Sequence, residues 1–252
     1  MKLAFATKEI DVTKWKEDLL AVGVTEKDLR KDQNSKFENP ILKKLDSCLG
    51  GVLAEVSTKE DFTRKSGQST GLGEPAAAAA KTAQASDIAI VLASSEGLSA
   101  NSCKASAIAS GAVLGIYEDN RYKSESKKPA LKSVDILGLR TGPELEKKLK
   151  YAQDVASGII LGKELTNSPA NVLTPGSKLA EEASNIASLY SDVLSAKTLN
   201  EEQCKDLKIG SYLAVAAASA NPPYFIQLTY KPPGEPAKLK LALVGKGLTF
   251  DR

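Results

Sequence analysis

The 252-residue sequence contains no histidine, and this absence excludes a wide range of chemistry. Ser-His-Asp and Cys-His nucleophile pairs and histidine-ligated zinc all require an imidazole. The three cysteines, Cys48, Cys103 and Cys204, lie far apart without any C-x-x-C spacing, so they predict neither a disulfide framework nor a thiolate zinc site. We interpret Cys103 and Cys204 as small packing residues. A hydrolase built on this chain has to work with carboxylates and lysines.

The sequence also lacks an excess of charge and a long apolar run. Its 34 Lys and Arg residues against 31 Asp and Glu residues leave a net charge of only +3, with the two signs interspersed, so no nucleic-acid or membrane surface is indicated. No apolar run approaches the roughly 18–20 residues of a membrane span. Met1 is followed directly by apolar residues of the first predicted strand, without a secretory signal or a transit peptide. These features predict a soluble protein of the cytoplasm.

The residues that are present alternate between strand and helix patterns, which is typical of an α/β fold. Short apolar runs predict strands at Leu3–Phe5, Leu19–Val24, Ile88–Ala93 and Val134–Leu139. Apolar residues at helical spacing or runs of small residues predict helices at Pro40–Val56, Glu74–Ala85 and Cys103–Leu114. The polar stretch Glu118–Lys128 is interpreted as a loop, and Trp15 as a packing anchor.

A long helix is predicted in the middle of the chain. Thr141 and Glu144 have the spacing of a capping box, with Pro143 in the first turn, so a helix should begin there and run about 20 residues to Leu165. We therefore divide the chain into an N-terminal α/β domain of residues 1–140, a linker helix of residues 141–165 and the start of a second α/β domain at residues 166–252. The asparagine- and proline-rich segments at 167–171 and 221–223 are interpreted as turns.

The second domain has a similar alternating pattern. Helices are predicted at Pro175–Tyr190 and Glu201–Lys208, and strands at Val193–Ala196, Phe225–Tyr230 and Lys238–Val244. The small residues of Tyr212–Ala220 do not decide between helix and strand. The end of the last predicted strand carries the residues most suggestive of chemistry.

Lys246 and Asp251 follow that strand, five residues apart. A buried lysine next to a cation loses its proton readily and then offers a neutral amine to the metal, while Asp251 offers a carboxylate. The flanking Gly245 and Gly247 alone have a simpler interpretation, a glycine turn with a solvated lysine. A phosphate loop is disfavoured because Leu248, Thr249 and Phe250 do not continue as a helix. A metal site needs about four or more ligands, and the sequence provides only these two after the strand.

Four segments, taken together and in this order, resemble the leucyl aminopeptidase (cytosol aminopeptidase) family. They are Glu164–Pro175, Leu179–Ala183, Tyr212–Pro223 with Tyr230–Pro232, and Val244–Asp251. In the N-terminal third, Ser35–Phe37 and Glu118–Glu125 resemble the plant-type members. The likeness covers nearly the whole chain.

This resemblance implies a macro-like N-terminal α/β domain, a linking helix and a catalytic α/β domain that holds two divalent metal ions, Mn or Zn. It also implies removal of N-terminal residues such as leucine from peptides by a metal-activated water, and assembly into a hexamer. The metal-binding lysine and first metal-binding aspartate of the family correspond to Lys246 and Asp251. The other ligands and the catalytic residues have no counterpart in these 252 residues, so we assign no catalytic residue.

The sequence departs from the family pattern in three places. At Gly67–Thr70, the chain joins directly to Gly71 where the family continues into sheet strands, which predicts a shortened N-terminal sheet and impaired folding. Thr174–Leu179 is one residue longer than usual, an insertion that we expect the loop before the helix to absorb. The third departure is the stop at Arg252, which with the internal junction suggests a splice product or an imperfect gene model.

Three functions remain open at this point. The first is an incomplete leucyl aminopeptidase that is inactive alone. The second is a non-catalytic subunit that joins full-length aminopeptidase hexamers through its N-terminal domain or linker helix. The third is nucleotide binding by the macro-like domain, which no phosphate motif supports. Plant-type relatives are often plastid proteins, which sets a plastid location against the cytoplasmic expectation.

Overall fold

The computed structural model describes residues 3–8, 11–57, 70–94, 98–124, 130–138, 142–234 and 239–249. The chain divides into two compact units, Met1–Leu161 (unit 1) and Gly162–Arg252 (unit 2). The elements of unit 1 are β1 (Ala4–Lys8), β2 (Leu19–Gly23), α1 (Pro40–Cys48), α2 (Val52–Val56), α3 (Thr70–Ala83), β3 (Asp87–Leu92), α4 (Leu98–Gly115), β4 (Ser133–Leu137) and the first part of α5 (Pro143–Asn167). The predicted α/β architecture is confirmed.

Unit 1 is built on a parallel sheet whose described strands have the order β1-β4-β3-β2. In its centre, Ile88 lies opposite Val134 and Ile90 opposite Ile136. Ile88, Ala89 and Ile90 are completely buried because helices and loops cover both faces of β3. The continuous apolar run of β3 is the sequence pattern that a doubly covered parallel strand requires.

The helices α3, α4 and α5 pack against one face of this sheet, largely through alanines. Small side chains let α3 and α4 approach so closely that a Cβ atom on Gly73 would lie 2.1 Å from the Ile108 carbonyl oxygen. The other face carries a smaller cluster with Leu45 of α1 and a half-buried Trp15. Trp15 is thus a packing residue, as predicted.

Three predicted helices of unit 1 differ from the observed ones in their bounds. The helix predicted over Pro40–Val56 is split because Gly50 and Gly51 adopt left-handed φ angles of 65° and 91° between α1 and α2. The helix α3 begins at Thr70 rather than Glu74, and α4 begins at Leu98 rather than near Cys103. The exposed side chain of Cys103 contradicts its interpretation as a packing residue.

The long helix α5 contains 25 residues and ends at Asn167, two residues beyond the prediction. Its packing positions Leu145, Leu149, Ala152 and Ala156 are buried, as their helical spacing predicts. Thr141, the predicted N-cap, lies outside the described residues, and the Glu144 carboxylate lies 3.5 Å from the Lys148 ammonium one turn later. The division between the two units falls inside α5, between Leu161 and Gly162.

Unit 2 begins with the last residues of α5. It continues with a π-helix (Pro175–Ala180), α6 (Glu181–Leu189), β5 (Leu194–Leu199), α7 (Glu201–Asp206), α8 (Gly210–Ala216) and β6 (Phe225–Tyr230). The segment Thr174–Leu179, where the resemblance predicts one extra residue, overlaps this π-helix. A π turn holds more residues than an α turn, so the insertion, which stays a prediction, would fit within the helix rather than in a loop.

Two strands form the described sheet of unit 2. β5 and β6 pair antiparallel, with Leu194 opposite Tyr230 and Leu199 opposite Phe225. The helix α7 carries a capping box between Asn200 and Gln203, and Cys204 on the same helix is buried, which confirms its predicted packing role. The segment Tyr212–Ala220, undecided from the sequence, begins within α8. No helix in the described parts of the chain combines the length and the apolar character that crossing a bilayer needs.

Candidate metal centre

Lys246 lies in the segment 239–249, which contains no helix and no strand. The strand predicted at Lys238–Val244 is therefore wrong over its described residues. A strand needs a neighbour for its backbone N–H and C=O groups, and this segment pairs with none of the described residues. Four of its apolar side chains are almost fully exposed, from 80% for Leu239 and Leu241 to 96% for Val244, and Leu248 is half exposed.

The two predicted metal ligands differ in what the structure describes. Lys246 is exposed, so its predicted burial is wrong. Asp251 lies outside the described residues. The structure therefore gives no distance between the Lys246 amine and the Asp251 carboxylate.

Metal chemistry needs a denser group of ligands than these residues form. Among the described residues, no group of three or more His, Cys, Asp or Glu side chains is placed to hold an ion. A metal bound by nitrogen and oxygen atoms takes about four or more ligands, and a two-metal hydrolase shares carboxylates between ions about 3.5–4 Å apart. The described residues do not fit a complete two-metal centre.

The polar and aromatic residues nearest to the motifs of unit 2 have structural roles. Ser168 donates a hydrogen bond of 2.7 Å to the Glu164 carbonyl at the end of α5, where the predicted turn begins. The Tyr224 ring packs against Gly176 so closely that a Cβ atom there would lie 2.4 Å from it. Burial raises the pKa of Tyr212, whose ring meets Phe225 edge to face at 6.3 Å. The described side chains add no catalytic group to the two predicted ligands.

Unit 1 contains both buried carboxylates of the described residues, Asp28 and Asp135. Burial raises the pKa of Asp28, but hydrogen bonds donated by Ser94, Thr25 and Asn39 outweigh it and leave the pKa below its ordinary value. Asp135 accepts from the Lys8 ammonium at 2.5 Å and from the Trp15 indole at 3.5 Å. Since each carboxylate is satisfied within the fold, both serve to hold loops on the sheet.

A cleft of about 170 Å³ lies at the carboxyl ends of the strands β3 and β4, where open α/β sheets bind ligands. Its lining is mainly apolar, and the ammonium of Lys44 pairs with Asp11 at 2.7 Å. The volume is below the roughly 300–1,000 Å³ of common small-molecule sites. The cleft therefore gives no support to nucleotide binding by unit 1.

Several relatives match almost the whole chain. Leucine aminopeptidase 2, chloroplastic, of Arabidopsis thaliana is 65% identical over 280 residues, which cover 99% of this chain and 48% of the relative. Neutral leucine aminopeptidase, chloroplastic, of Solanum lycopersicum is 61% identical, covering 99% and 49%. Leucine aminopeptidase 1 of Arabidopsis thaliana is 60% identical, covering 99% and 53%. The chain spans about half the length of the curated relatives it matches.

The same alignments show an internal difference. The 280 aligned positions of the first Arabidopsis relative exceed the 252 residues of this chain, so at least 28 positions of the relative have no counterpart here. Because the alignment includes 99% of the chain, these positions lie within it rather than beyond its ends. Two of these relatives are named chloroplastic, which does not support the expectation of a cytoplasmic protein.

Solved structures also match this chain. A point mutant of tomato leucine aminopeptidase superimposes with a TM-score of 0.93 at 53% identity, covering 99% of this chain and 55% of that one. The bottromycin maturation enzyme BotP, solved in complex with Mn, superimposes with a TM-score of 0.52 at 29% identity, covering 65% and 34%. The fold described above is thus that of leucine aminopeptidase over the matched half.

Two models of one family match the chain in the order that the family has. The model of the cytosol aminopeptidase N-terminal domain matches residues 71–126, and that of the catalytic domain matches residues 160–252. The first match begins directly after the Thr70–Gly71 junction singled out in the sequence. With relatives that match both units along almost the whole chain, these matches show that the chain belongs to the cytosol aminopeptidase family.

Proposed function

We propose that the chain is part of a leucyl aminopeptidase, an enzyme that removes N-terminal residues such as leucine from peptides with divalent metal ions, and that these 252 residues alone are inactive. The main support is the ordered match of both family domains, together with relatives named leucine aminopeptidases at 60–65% identity. The Mn bound by BotP supports manganese over zinc as the first metal to test. The alternative of a non-catalytic subunit is not favoured by these comparisons.

The proposal assigns Lys246 and Asp251 as metal ligands. Their support is the position of both residues within the segment matched by the catalytic-domain model, residues 160–252. The described residues hold no further group of ligands, so the 252 residues by themselves leave the metal site incomplete. We therefore expect the isolated chain not to hydrolyse peptides.

The domain organisation, the assembly and the cellular location of the protein are inferred in the same way. We assign one domain to residues 1–140 and another to residues 166–252, with a joining helix at 141–165. The division of the chain into two compact units within α5 supports this assignment. Assembly into hexamers rests on the family resemblance. A plastid location is supported by relatives named chloroplastic.

A direct experiment compares the purified chain with tomato neutral leucine aminopeptidase as the positive control. Both proteins are incubated with leucyl-p-nitroanilide and added Mn²⁺ or Zn²⁺, and release of p-nitroaniline is followed. We expect turnover by the tomato enzyme only. Metal-dependent turnover by the chain alone would show that the site is complete without further residues.

A chimera tests the assignment of the ligands. Residues 160–252 of this chain replace the corresponding segment of the tomato enzyme, whose own N-terminal domain and remaining catalytic domain are kept. We expect the chimera to be active with Mn²⁺, and Lys246→Ala and Asp251→Ala to lower kcat/KM by about 100-fold or more, because each removes a ligand. Lys240→Ala, an exposed lysine of the same segment, is the matched control and should leave the rate unchanged.

The chimera also separates two kinds of failure. An active chimera that tolerates Lys246→Ala would remove the metal-ligand assignment while leaving the family function in place. A folded chimera without activity, as judged by its circular dichroism and hexamer mass, would instead contradict the proposal that this catalytic segment serves an aminopeptidase.

A further inference from the structure

The strand β2 forms one edge of the sheet of unit 1. Among the described residues it pairs with β3 alone, and all five of its residues are half-buried. Its sequence, Leu19–Gly23, contains no charge and no proline, the features by which edge strands usually avoid pairing with other chains. The opposite edge, β1, ends with Lys8. β2 is thus the less protected edge.

The backbone groups that β2 directs away from the sheet follow from one hydrogen bond. The Ala93 amide donates to the Gly23 carbonyl at 2.8 Å, so the backbone groups of Gly23 face β3. Because these directions alternate along a strand, the groups of Leu20 and Val22 face outward. Each of these two residues offers an N–H and a C=O to a further strand.

The comparison with relatives supports an open edge at β2, because family strands are expected from the sequence to be missing before Gly71. At least 28 aligned positions of the Arabidopsis relative have no counterpart in this chain, and the N-terminal-domain match begins at residue 71. Strands inserted before Gly71 would follow β2 and α2 in the chain and precede β3. Since consecutive elements are usually neighbours, and β3 already has β2 and β4 on its two sides, the free side of β2 is where they would add.

We propose that the free edge of β2 pairs antiparallel with the β2 edge of a second copy of this chain. A twofold axis through Ala21 places Leu20 opposite Val22 of the other copy, and Val22 opposite its Leu20. Both are pairs of outward-facing residues, so four backbone hydrogen bonds form across the axis. The edge of β2 is therefore complementary to itself in its backbone hydrogen bonding.

The experiment measures the mass of the 252-residue chain by light scattering over a range of concentrations. We expect the mass to rise from that of a monomer, 26.6 kDa, to twice this value as the concentration increases. Val22→Pro removes an outward N–H without removing a bond to β3, so it should restore the monomer at all concentrations. Trp15 fluorescence verifies that the variant is folded.

The matched control is Thr7→Pro on the opposite edge. Ala4 donates to the Lys132 carbonyl and Lys8 accepts from the Gly138 amide, so Thr7 lies at an outward-facing position of β1. This variant should associate as the unchanged chain does. A chain that stays monomeric throughout, or dimers that persist in Val22→Pro, would overturn the proposal, as would equal dissociation by both proline variants.

Hydrogen exchange of the unchanged chain is a second test, and it does not require any variant to fold. In the dimer, the amides of Leu20 and Val22 are hydrogen-bonded across the axis, so their exchange should slow as concentration increases. The amide of Thr7 should exchange at a rate independent of concentration. Fast exchange at Leu20 and Val22 in a sample that light scattering shows to be dimeric would place the interface elsewhere and contradict the proposal.

Discussion

Unit 1 and unit 2 differ in how far the described residues bury their apolar side chains. In unit 1, Ile88, Ile90 and Val134 are completely buried between helices and loops on the two faces of a parallel sheet. In unit 2, the two-stranded sheet leaves Leu228 and Tyr230 about half exposed or more. A two-stranded sheet cannot bury both of its faces, so apolar sequence alone does not make a core. The number of covering layers decides which apolar residues contribute to stability.

The largest expected effect on stability comes from shortening a buried apolar side chain of unit 1, in contrast to an exposed one of unit 2. Ile90→Ala should lower the free energy of unfolding of unit 1 by about 2–5 kcal/mol, because it opens a cavity in the central strand. Leu243→Ala should change it by less than about 0.5 kcal/mol, because that side chain is 90% exposed. Urea unfolding followed by fluorescence of Trp15, the single tryptophan of the chain, measures unit 1. A large loss in Leu243→Ala would contradict the exposure of that side chain.

A smaller effect is expected from close helix packing in unit 1. In Gly73→Ala the new methyl group meets backbone atoms of Ile108 and Ala112, so α3 and α4 have to separate, at a cost of about 1–3 kcal/mol. Gly158→Ala on the exposed face of α5 has nothing within 4 Å of the new atom. That control should stabilise by about 0.5–1 kcal/mol through helix propensity. Equal effects of the two variants in thermal unfolding would show that α3 and α4 are not in close contact.

These two units also differ in how well the sequence predicts them. The strand β3 was identifiable because a doubly covered strand has a continuous apolar run, and α5 because its packing residues recur at helical spacing. The segment at 239–244 has an equally strong strand pattern, yet no strand forms because pairing depends on a neighbour and not on the segment itself. The order of the strands, which leaves β2 at an edge, likewise arises from contacts between distant parts of the chain.

The assignment of Lys246 and Asp251 as metal ligands comes from the family resemblance of their motif and stays a prediction. Burial of Lys246 was instead inferred from the strand that was expected before it. Once that strand is not formed, the inference about burial fails with it. The π-helix at Pro175–Ala180 was not predictable from periodicity, because its 6 residues are too few to separate a π-helical spacing from an α-helical one.

The stability of unit 1 should depend on pH, because both buried carboxylates of the described residues lie in this unit. The pKa of Asp28 is lowered from its ordinary value of 3.8, since the hydrogen bonds of the folded state outweigh the opposing effect of burial. A lowered pKa stabilises the fold above the ordinary pKa, and this contribution is lost as the pH falls through the folded value. The urea midpoint of unit 1 should therefore fall below about pH 4.

Asp28→Asn isolates the contribution of this group to the acid sensitivity. At pH 7 the variant should have a lower urea midpoint than the unchanged chain, because the substitution removes the hydrogen bonds to the charged carboxylate. The difference between the two urea midpoints should be smaller at pH 3. Trp15 fluorescence at pH 7, 5, 4 and 3 measures both proteins. A gap that stays constant across this range would exclude Asp28 as a source of the pH dependence.

The smallest expected effects come from two helix caps of the same residue type, one in each unit. Asn39 caps α1 through its Oδ1 atom, and its Nδ2 atom also donates to Asp28 at 2.8 Å and to the Ala93 carbonyl at 2.9 Å. Asn200 caps α7 within an exposed capping box. Asn200→Ala should cost about 0.5–1 kcal/mol, as for an ordinary cap, and Asn39→Ala about 1–2 kcal/mol because it also removes donors to a buried carboxylate.

Aspartate at the same positions separates capping from the additional bonds of Asn39. Asparagine and aspartate cap helices about equally well, so Asn200→Asp should be nearly neutral. Asn39→Asp keeps the cap but places a second carboxylate where the Nδ2 atom donated to Asp28, so it should destabilise unit 1 through repulsion and the lost hydrogen bonds. Trp15 fluorescence measures unit 1, and hydrogen exchange of the α7 amides measures the local stability of unit 2. If Asn39→Asp were as mild as Asn200→Asp, the cap of α1 would be independent of the buried network, and the two units would not differ in how their helices are anchored.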